Sequence, residues 1–289
     1  MVRGWMLRVM LGAALVSSAG PAAAALPPAA VRPGPADPER PSPVASAAVD
    51  ELLELSGLRA QIEALSADVR ALFSRREGRL SAQDRATIHR IAARHFGAEI
   101  LYARIRLELG RTLDAGPLEA TLAWYRSPLG RRITRAEREA LGPGAGRART
   151  PLPSDERIAL VERLDEGGGA SETMLDIAMA LVRSLLRVAD PFRPAQKRLD
   201  PAGLESLIVR ARTEALTPIK IACLQNMLFA YGEFQDAELG GYVRFVESRA
   251  GRWYTTATNT ALVSAVSSAA ELAAGELVTL VPQLSGDLR

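Results

Sequence analysis

An eight-residue segment that occurs twice constrains the fold of this chain more than any other feature. Residues 124–131 read WYRSPLGR and residues 245–252 read FVESRAGR, so each position lies 121 residues after its counterpart. Apolar positions keep the same offset over about thirty residues around the segment. The pairs are Leu107 and Leu228, Leu113 and Phe234, Leu118 and Leu239, Leu122 and Val243, and Trp124 and Phe245. The repeat predicts one helical unit that is used twice.

The period of the apolar residues predicts helices throughout the chain. Leucine and isoleucine recur at every third or fourth position, and no stretch alternates with a period of two. In the second half, the pattern predicts a helix over 171–185 that is capped by Ser171, followed by separate helices over 204–216 and 219–231. We therefore predict an all-α fold built from two similar helical bundles in tandem.

The N-terminus and the linkers divide the chain into five parts. Residues 1–25 have the positive start, the apolar stretch and the small residues of a secretory signal peptide, with cleavage near Ala24 or Ala25. A retained membrane anchor is the alternative, although the apolar run is shorter than the ~20 residues that span a bilayer. The remaining predicted parts are a Pro/Ala-rich disordered linker at 26–46, a first helical domain at 47–141, a Gly/Pro linker at 142–153 and a second helical domain at 154–285.

Charge argues against a nucleic-acid partner. The formal net charge is +3, but the leader contains two arginines and no acidic residue, so the charge falls to +1 after cleavage. Binding to phosphates needs a clustered basic surface. The single cysteine, Cys223, indicates a fold without an internal disulfide bond, in which this side chain is buried and contributes to packing.

The repeated segment also contains the candidate site. Ser127 and Pro128 are the residue types favoured at the N-cap and first position of a helix, and Gly130 allows close approach of another group. Arg131 then lies near the positive end of the helix dipole, which predicts either an acidic partner such as Glu119 or a bound anion. The candidate anion-binding or ligand-binding residues of the two copies are Ser127, Gly130, Arg131, Ser248, Gly251 and Arg252.

Catalytic signatures are missing from the sequence. His89 and His95 are six residues apart and fall on different faces of one helix, so they do not form a metal-binding pair. There is no G-x-S-x-G elbow and no phosphate-binding loop, and we predict no catalytic residue, no metal and no cofactor. The last apolar stretch is interrupted by Glu271 and Glu276, so no stable transmembrane segment is expected in the mature chain.

The motif aromatic-Tyr-x-Ser-Pro-x-Gly-Arg at 124–131, after a leucine-patterned helix, resembles that of the bacterial domain of unknown function 2059 family. The resemblance is best over 101–138, and residues 238–260 form a weaker second copy in which Arg249 and Ala250 replace the Pro-x step. The resemblance implies an exported, α-helical bacterial protein and supplies no mechanism.

These observations favour a periplasmic or secreted protein with a non-catalytic binding or assembly role in the cell envelope, where an envelope protein is a possible partner. Two alternatives stay open. One is an envelope hydrolase or transferase that acts on an anionic substrate through Arg131, Arg132 and Arg252. The other is a carrier of an apolar ligand, which requires an internal cavity lined by leucine, methionine and phenylalanine.

Overall fold

The computed structural model of the protein describes residues 43–74, 82–142, 152–190, 196 and 198–284. All regular secondary structure in these residues is helical, so the predicted all-α fold is confirmed. The predicted signal peptide and most of the predicted N-terminal linker lie outside the described residues.

Eleven helices are present in the described part of the chain. In chain order they are α1 (Pro43–Leu55), α2 (Leu58–Ser74), α3 (Ala82–Phe96), α4 (Ala98–Arg111), α5 (Ala115–Arg126), α6 (Pro128–Ala140), α7 (Asp155–Gly168), α8 (Ala170–Ala189), α9 (Pro201–Ala230), α10 (Asp236–Val246) and α11 (Arg249–Leu284).

Three helix limits differ from the sequence prediction. Helix α1 begins at Pro43, inside the predicted linker. Ser171 lies within α8 and not at its N-cap, because its side chain donates to the carboxylate of Asp165 in α7. The two helices predicted at 204–216 and 219–231 are one continuous helix, α9, with Pro218 inside it.

The helices that precede the repeated segment show equivalent contacts in both halves. Gly57, with a φ of 72°, separates α1 from α2, and Gly169, with a φ of 65°, separates α7 from α8. Glycine adopts these left-handed conformations without a steric penalty. A Cβ atom would lie 3.3 Å from Arg138 Cγ at Gly57 and 3.0 Å from Asn259 Nδ2 at Gly169. Arg138 and Asn259 are themselves separated by the 121-residue offset.

A second pair of contacts repeats in the same way. Thr134 Oγ1 donates to the carbonyl oxygen of Leu55 over 3.1 Å, and its counterpart Thr255 Oγ1 donates to that of Gly167 over 3.4 Å. Leu55 and Gly167 are 112 residues apart, as are Gly57 and Gly169. Helices α1 and α2 therefore occupy the positions that α7 and α8 occupy in the second half.

The two halves share their hydrophobic cores. One cluster joins side chains of α1 to α4 with side chains of α8 and α11, and a second joins α1, α5 and α6 with α7, α10 and α11. A third cluster, between α8 and α9, contains mainly second-half residues. The predicted tandem arrangement of two separate bundles is thus not confirmed, and the limits 47–141 and 154–285 remain predictions.

Helix α11 is the physical reason for the shared core. It begins at the position equivalent to the start of α6 but is 36 residues long, against 13 for α6. The part of α11 from Ala261 onward packs against α3, α4 and α8. Small side chains allow this close approach: Ala261, Ala265, Ala269 and Ala273 are each 2% exposed or less.

The stretch Arg249–Val278 of α11 is long and apolar enough to cross a membrane, with a mean hydropathy of 1.4 over its most apolar window. Glu271 and Glu276 lie inside this helix, and the expectation that the mature chain has no stable transmembrane segment stays a prediction. The evidence for a span is weak, because 44% of that window is buried inside the protein and core helices meet the same criteria.

Candidate functional site

The two repeated segments form two equivalent helix corners. At the first, Ser127 follows α5 and Pro128 starts α6, as the sequence predicts. Ser127 Oγ accepts a hydrogen bond from the amide of Gly130 over 3.0 Å, and Ser248 Oγ accepts one from the amide of Gly251 over the same distance. Each serine thus satisfies an amide group that the start of the helix leaves free.

Both corner glycines lie against the backbone of the preceding helix. A Cβ atom at Gly130 would lie 2.2 Å from the carbonyl oxygen of Trp124, and one at Gly251 would lie 2.0 Å from that of Phe245. Any side chain would therefore force two helices apart. The glycines permit a tight corner, which explains their presence within helices that they otherwise weaken.

The corner arginines contact main-chain atoms. Arg131 donates from Nε and Nη2 to the carbonyl oxygen of Arg126, over 2.8 and 2.6 Å, and Arg252 donates from Nη1 to the carbonyl oxygen of Glu247. These carbonyl groups are at the negative ends of α5 and α10, which attract a cation. Glu119, the acidic partner expected for Arg131, instead lies near Arg126.

The two corners pack against each other through counterpart residues. The rings of Trp124 and Phe245 are stacked, with centroids 4.1 Å apart and an interplanar angle of 9°. Thr121 Oγ1 donates to the carbonyl oxygen of Ala250. A Cβ atom at Gly241, next to the Thr121 counterpart Tyr242, would meet Leu129, the counterpart of Ala250, at 3.1 Å. The two corners thus contact each other through equivalent regions.

A cavity of about 350 Å³ lies where the two halves meet, and the corner arginines are not among the residues that line it. Its apolar wall includes Leu58, Leu65, Met174, Met227 and Phe245. Among the described residues that line the cavity, Glu137 of α6 is the single charged one. Four tyrosines also line it: Tyr125, Tyr231, Tyr242 and Tyr254.

Glu137 is held by two tyrosines of the other half. Tyr231 Oη and Tyr242 Oη both donate to Glu137 Oε1, over 2.7 and 3.0 Å. Burial raises the pKa of Glu137, and the two phenol hydrogen bonds offset part of that effect. Among the described residues, Oε2 accepts no hydrogen bond.

Burial also affects the tyrosines. It raises the pKa of Tyr254 to about 12 and holds the pKa values of Tyr125, Tyr231 and Tyr242 well above the usual range. The four phenols are therefore neutral at physiological pH and can act as hydrogen-bond donors.

Among the described residues, His95 and Cys223 lie outside the lining of this cavity. His95 Nε2 lies 2.8 Å from Glu276 Oε2, so this histidine is part of the contact between α3 and α11. No group of three histidine, cysteine or acidic side chains in the described parts of the chain has the arrangement of a metal site. Cys223 is buried, and burial raises the pKa of its thiol to about 11.

Sequence reasoning overlooked Glu137, although its position carried a signal. Gly130, Ile133 and Thr134 form the buried face of α6, and Glu137 continues that face at the next helical step. A carboxylate on an otherwise buried stripe marks a polar group that faces the interior. The tyrosines were interpreted as core packing, which is correct for their rings and incomplete for their hydroxyl groups.

Comparison of the chain with models of known families, with curated proteins and with solved structures finds no match. The resemblance to the domain of unknown function 2059 family gains no support from these comparisons and stays a hypothesis.

Proposed function

We propose that this is an exported, non-catalytic protein that binds a small, largely apolar molecule in the cavity between its two halves. The cavity itself is the observation that supports the proposal. Its volume falls within the range of small-molecule sites, and its apolar wall with a few convergent polar groups is typical of them. The aliphatic, methionine and phenylalanine side chains in this wall are those that a carrier of an apolar ligand requires.

The corners support a structural role for the repeated segment. Arg131 and Arg252 satisfy carbonyl groups at helix ends, and Arg132 forms an ion pair with Glu238. An enzyme that uses these arginines on an anionic substrate would need them to converge on one pocket, and they do not line the cavity described above. We therefore favour binding over catalysis.

Export and duplication are parts of the same proposal. The leader-like residues 1–25 and the motif shared with an exported family favour the periplasm or the outside of the cell. The equivalent glycines, corners and threonine contacts favour two copies of one helical unit, packed together so that a cavity forms between them.

A fluorescent apolar probe tests the proposed function. We expect 1-N-phenylnaphthylamine to bind the wild-type protein with one saturable site and increased emission. In Ala140→Trp, which places an indole in the cavity wall, we expect the affinity to fall by about tenfold or more, since the site is filled.

Ala103→Trp is the matched control, because it makes the same change at an exposed position of α4, away from the cavity. It should bind the probe as the wild-type protein does. A folded Ala140→Trp variant with wild-type affinity, or a wild-type protein that does not bind the probe, would contradict the proposal.

A further inference from the structure

We propose that the ligand of the cavity is an organic cation, whose ammonium group is held between the Glu137 carboxylate and the surrounding tyrosine rings. This inference rests on the proposed function and specifies the chemistry of the ligand. Three features of the cavity support it: the charge of its lining, the arrangement of its aromatic rings and the incomplete hydrogen bonding of its carboxylate.

The charge of the lining is negative. Glu137 lines the cavity, and no arginine, lysine or histidine is among the described residues that do so. An ionised carboxylate in a partly enclosed site is costly unless a positive charge compensates it. Within the described part of the chain, Glu137 receives two phenol hydrogen bonds and has no basic partner, so a cationic ligand can supply the compensating charge.

The aromatic rings suit a cation that carries carbon substituents. Tyr231 and Tyr242 meet edge to face with centroids 5.9 Å apart, and Tyr125 and Tyr254 do so at 5.4 Å. Phe245 packs beside Tyr125 at 5.8 Å. The negative face of an aromatic ring attracts ammonium groups, and these rings are among the residues that line the cavity.

The carboxylate has one oxygen available. Both phenols donate to Oε1, whereas Oε2 receives no hydrogen bond within the described part of the chain. A protonated amine can donate to Oε2, and a quaternary ammonium can approach it as an ion pair. A metal ion is a poor alternative, because Mg²⁺ and Ca²⁺ need about six oxygen ligands and this cavity provides a single carboxylate.

Binding is expected to depend on pH. Burial raises the pKa of Glu137, so this carboxyl group keeps its proton to a higher pH than an exposed glutamate does. A bound cation stabilises the ionised form and displaces that proton. The affinity for a cation should therefore increase as the pH rises through the titration of Glu137, whereas the affinity for a neutral analogue should stay flat or decrease.

Benzyltrimethylammonium and its uncharged carbon analogue neopentylbenzene test the inference, because the two molecules have nearly the same shape. In titrations followed by tyrosine and tryptophan emission, we expect the cation to bind the wild-type protein about tenfold more tightly than the neutral analogue. In Glu137→Gln, cation affinity should fall by about tenfold and lose its pH dependence, with neutral affinity unchanged.

Glu139→Gln is the control, because it removes the same charge from an exposed position two residues away on α6. It should leave the affinities for both molecules unchanged. Equal binding of the cation and the neutral analogue, or an unchanged cation affinity in folded Glu137→Gln, would overturn the inference and leave the proposed function standing. Failure of the wild-type protein to bind either of these molecules or phenylnaphthylamine would overturn both.

Discussion

The helix corners and the cavity differ in how the two halves of the chain contribute to them. At the corners, the halves supply the same residues: a capping serine, a glycine against the backbone and an arginine on a carbonyl group. In the cavity, the four tyrosines and Glu137 each have a counterpart of a different residue type. The pairs at the 121-residue offset are Tyr125 and Val246, Tyr231 and Gly110, Tyr242 and Thr121, Tyr254 and Ile133, and Glu137 and Thr258.

This difference suggests that the repeated corner residues serve the fold and that the unrepeated cavity residues serve binding. Each corner needs its own serine, glycine and arginine, because these residues act within that corner. A pocket at the meeting point of the two halves has one set of walls, and a single carboxylate with its donors is enough. Glu137 comes from the first half, while the two phenols that hold it come from the second. The cavity therefore depends on both halves in a way that neither corner does.

Replacing a corner glycine should have the largest effect. In Gly251→Ala the new Cβ would lie 2.0 Å from the carbonyl oxygen of Phe245, so we expect a loss of about 3 kcal/mol or more in the free energy of unfolding. Gly130→Ala should behave alike, since its Cβ would lie 2.2 Å from the carbonyl oxygen of Trp124. Urea denaturation measures both.

Gly275→Ala provides the comparison for the corner glycines. This glycine lies within α11, and a Cβ there meets no atom within 4 Å. Alanine is the better helix former, so we expect stability to rise by up to about 1 kcal/mol. A Gly251→Ala variant as stable as Gly275→Ala would show that the corner is not tightly packed.

The sequence predicts the corners well because their chemistry is local. The serine cap, the proline at the first helical position and the glycine all act within one helical turn, so an eight-residue pattern contains them. Of the partners expected for Arg131, Glu119 lies near Arg126 instead, and the guanidinium contacts a carbonyl group at the end of α5. The helical period likewise predicts the all-α fold.

The cavity could not be predicted in the same way, because its parts are far apart in the chain. Glu137 and Tyr231 are 94 residues apart, and no pattern of spacing relates them. The merged core is equally non-local, since it follows from the packing of α11 against helices of the first half. The buried stripe of α6 could have identified Glu137, but not the tyrosines that bind it.

Removing one phenol from the cavity should have an intermediate effect. Tyr231→Phe keeps the ring and deletes the shorter hydrogen bond to Glu137, so we expect a loss of about 1–3 kcal/mol in unfolding free energy at neutral pH. Tyr102→Phe is the control, because it deletes a hydroxyl outside the cavity that interacts with the solvent-accessible side chains of Asp50 and Arg59. A loss in Tyr231→Phe no larger than that in Tyr102→Phe would mean that Glu137 does not depend on this phenol.

The pH dependence of stability should distinguish Glu137 from exposed acids. Because burial raises its pKa in the folded state above the unfolded value, its contribution to stability is complete at low pH and is lost as the pH rises through the folded-state pKa. One such group changes the unfolding free energy by at most about 1.4 kcal/mol per pH unit. Denaturation series from pH 4 to 8 should show this decrease in unfolding free energy with rising pH in the wild-type protein and in Glu139→Gln. The decrease should be absent in Glu137→Gln.

Replacing a corner arginine should have the smallest effect. Arg131 is exposed, and its two hydrogen bonds to the carbonyl oxygen of Arg126 compete with water, so Arg131→Ala should cost about 1 kcal/mol or less. Arg252→Ala should behave alike at the second corner. Binding of phenylnaphthylamine and of benzyltrimethylammonium should be unchanged in both variants, because neither arginine lines the cavity. A different result would be an Arg131→Ala variant that no longer binds the probes but has the denaturation curve of the wild-type protein. The corner and not the cavity would then be the binding site. The repeated residues would in that case have a functional role and not only a structural one.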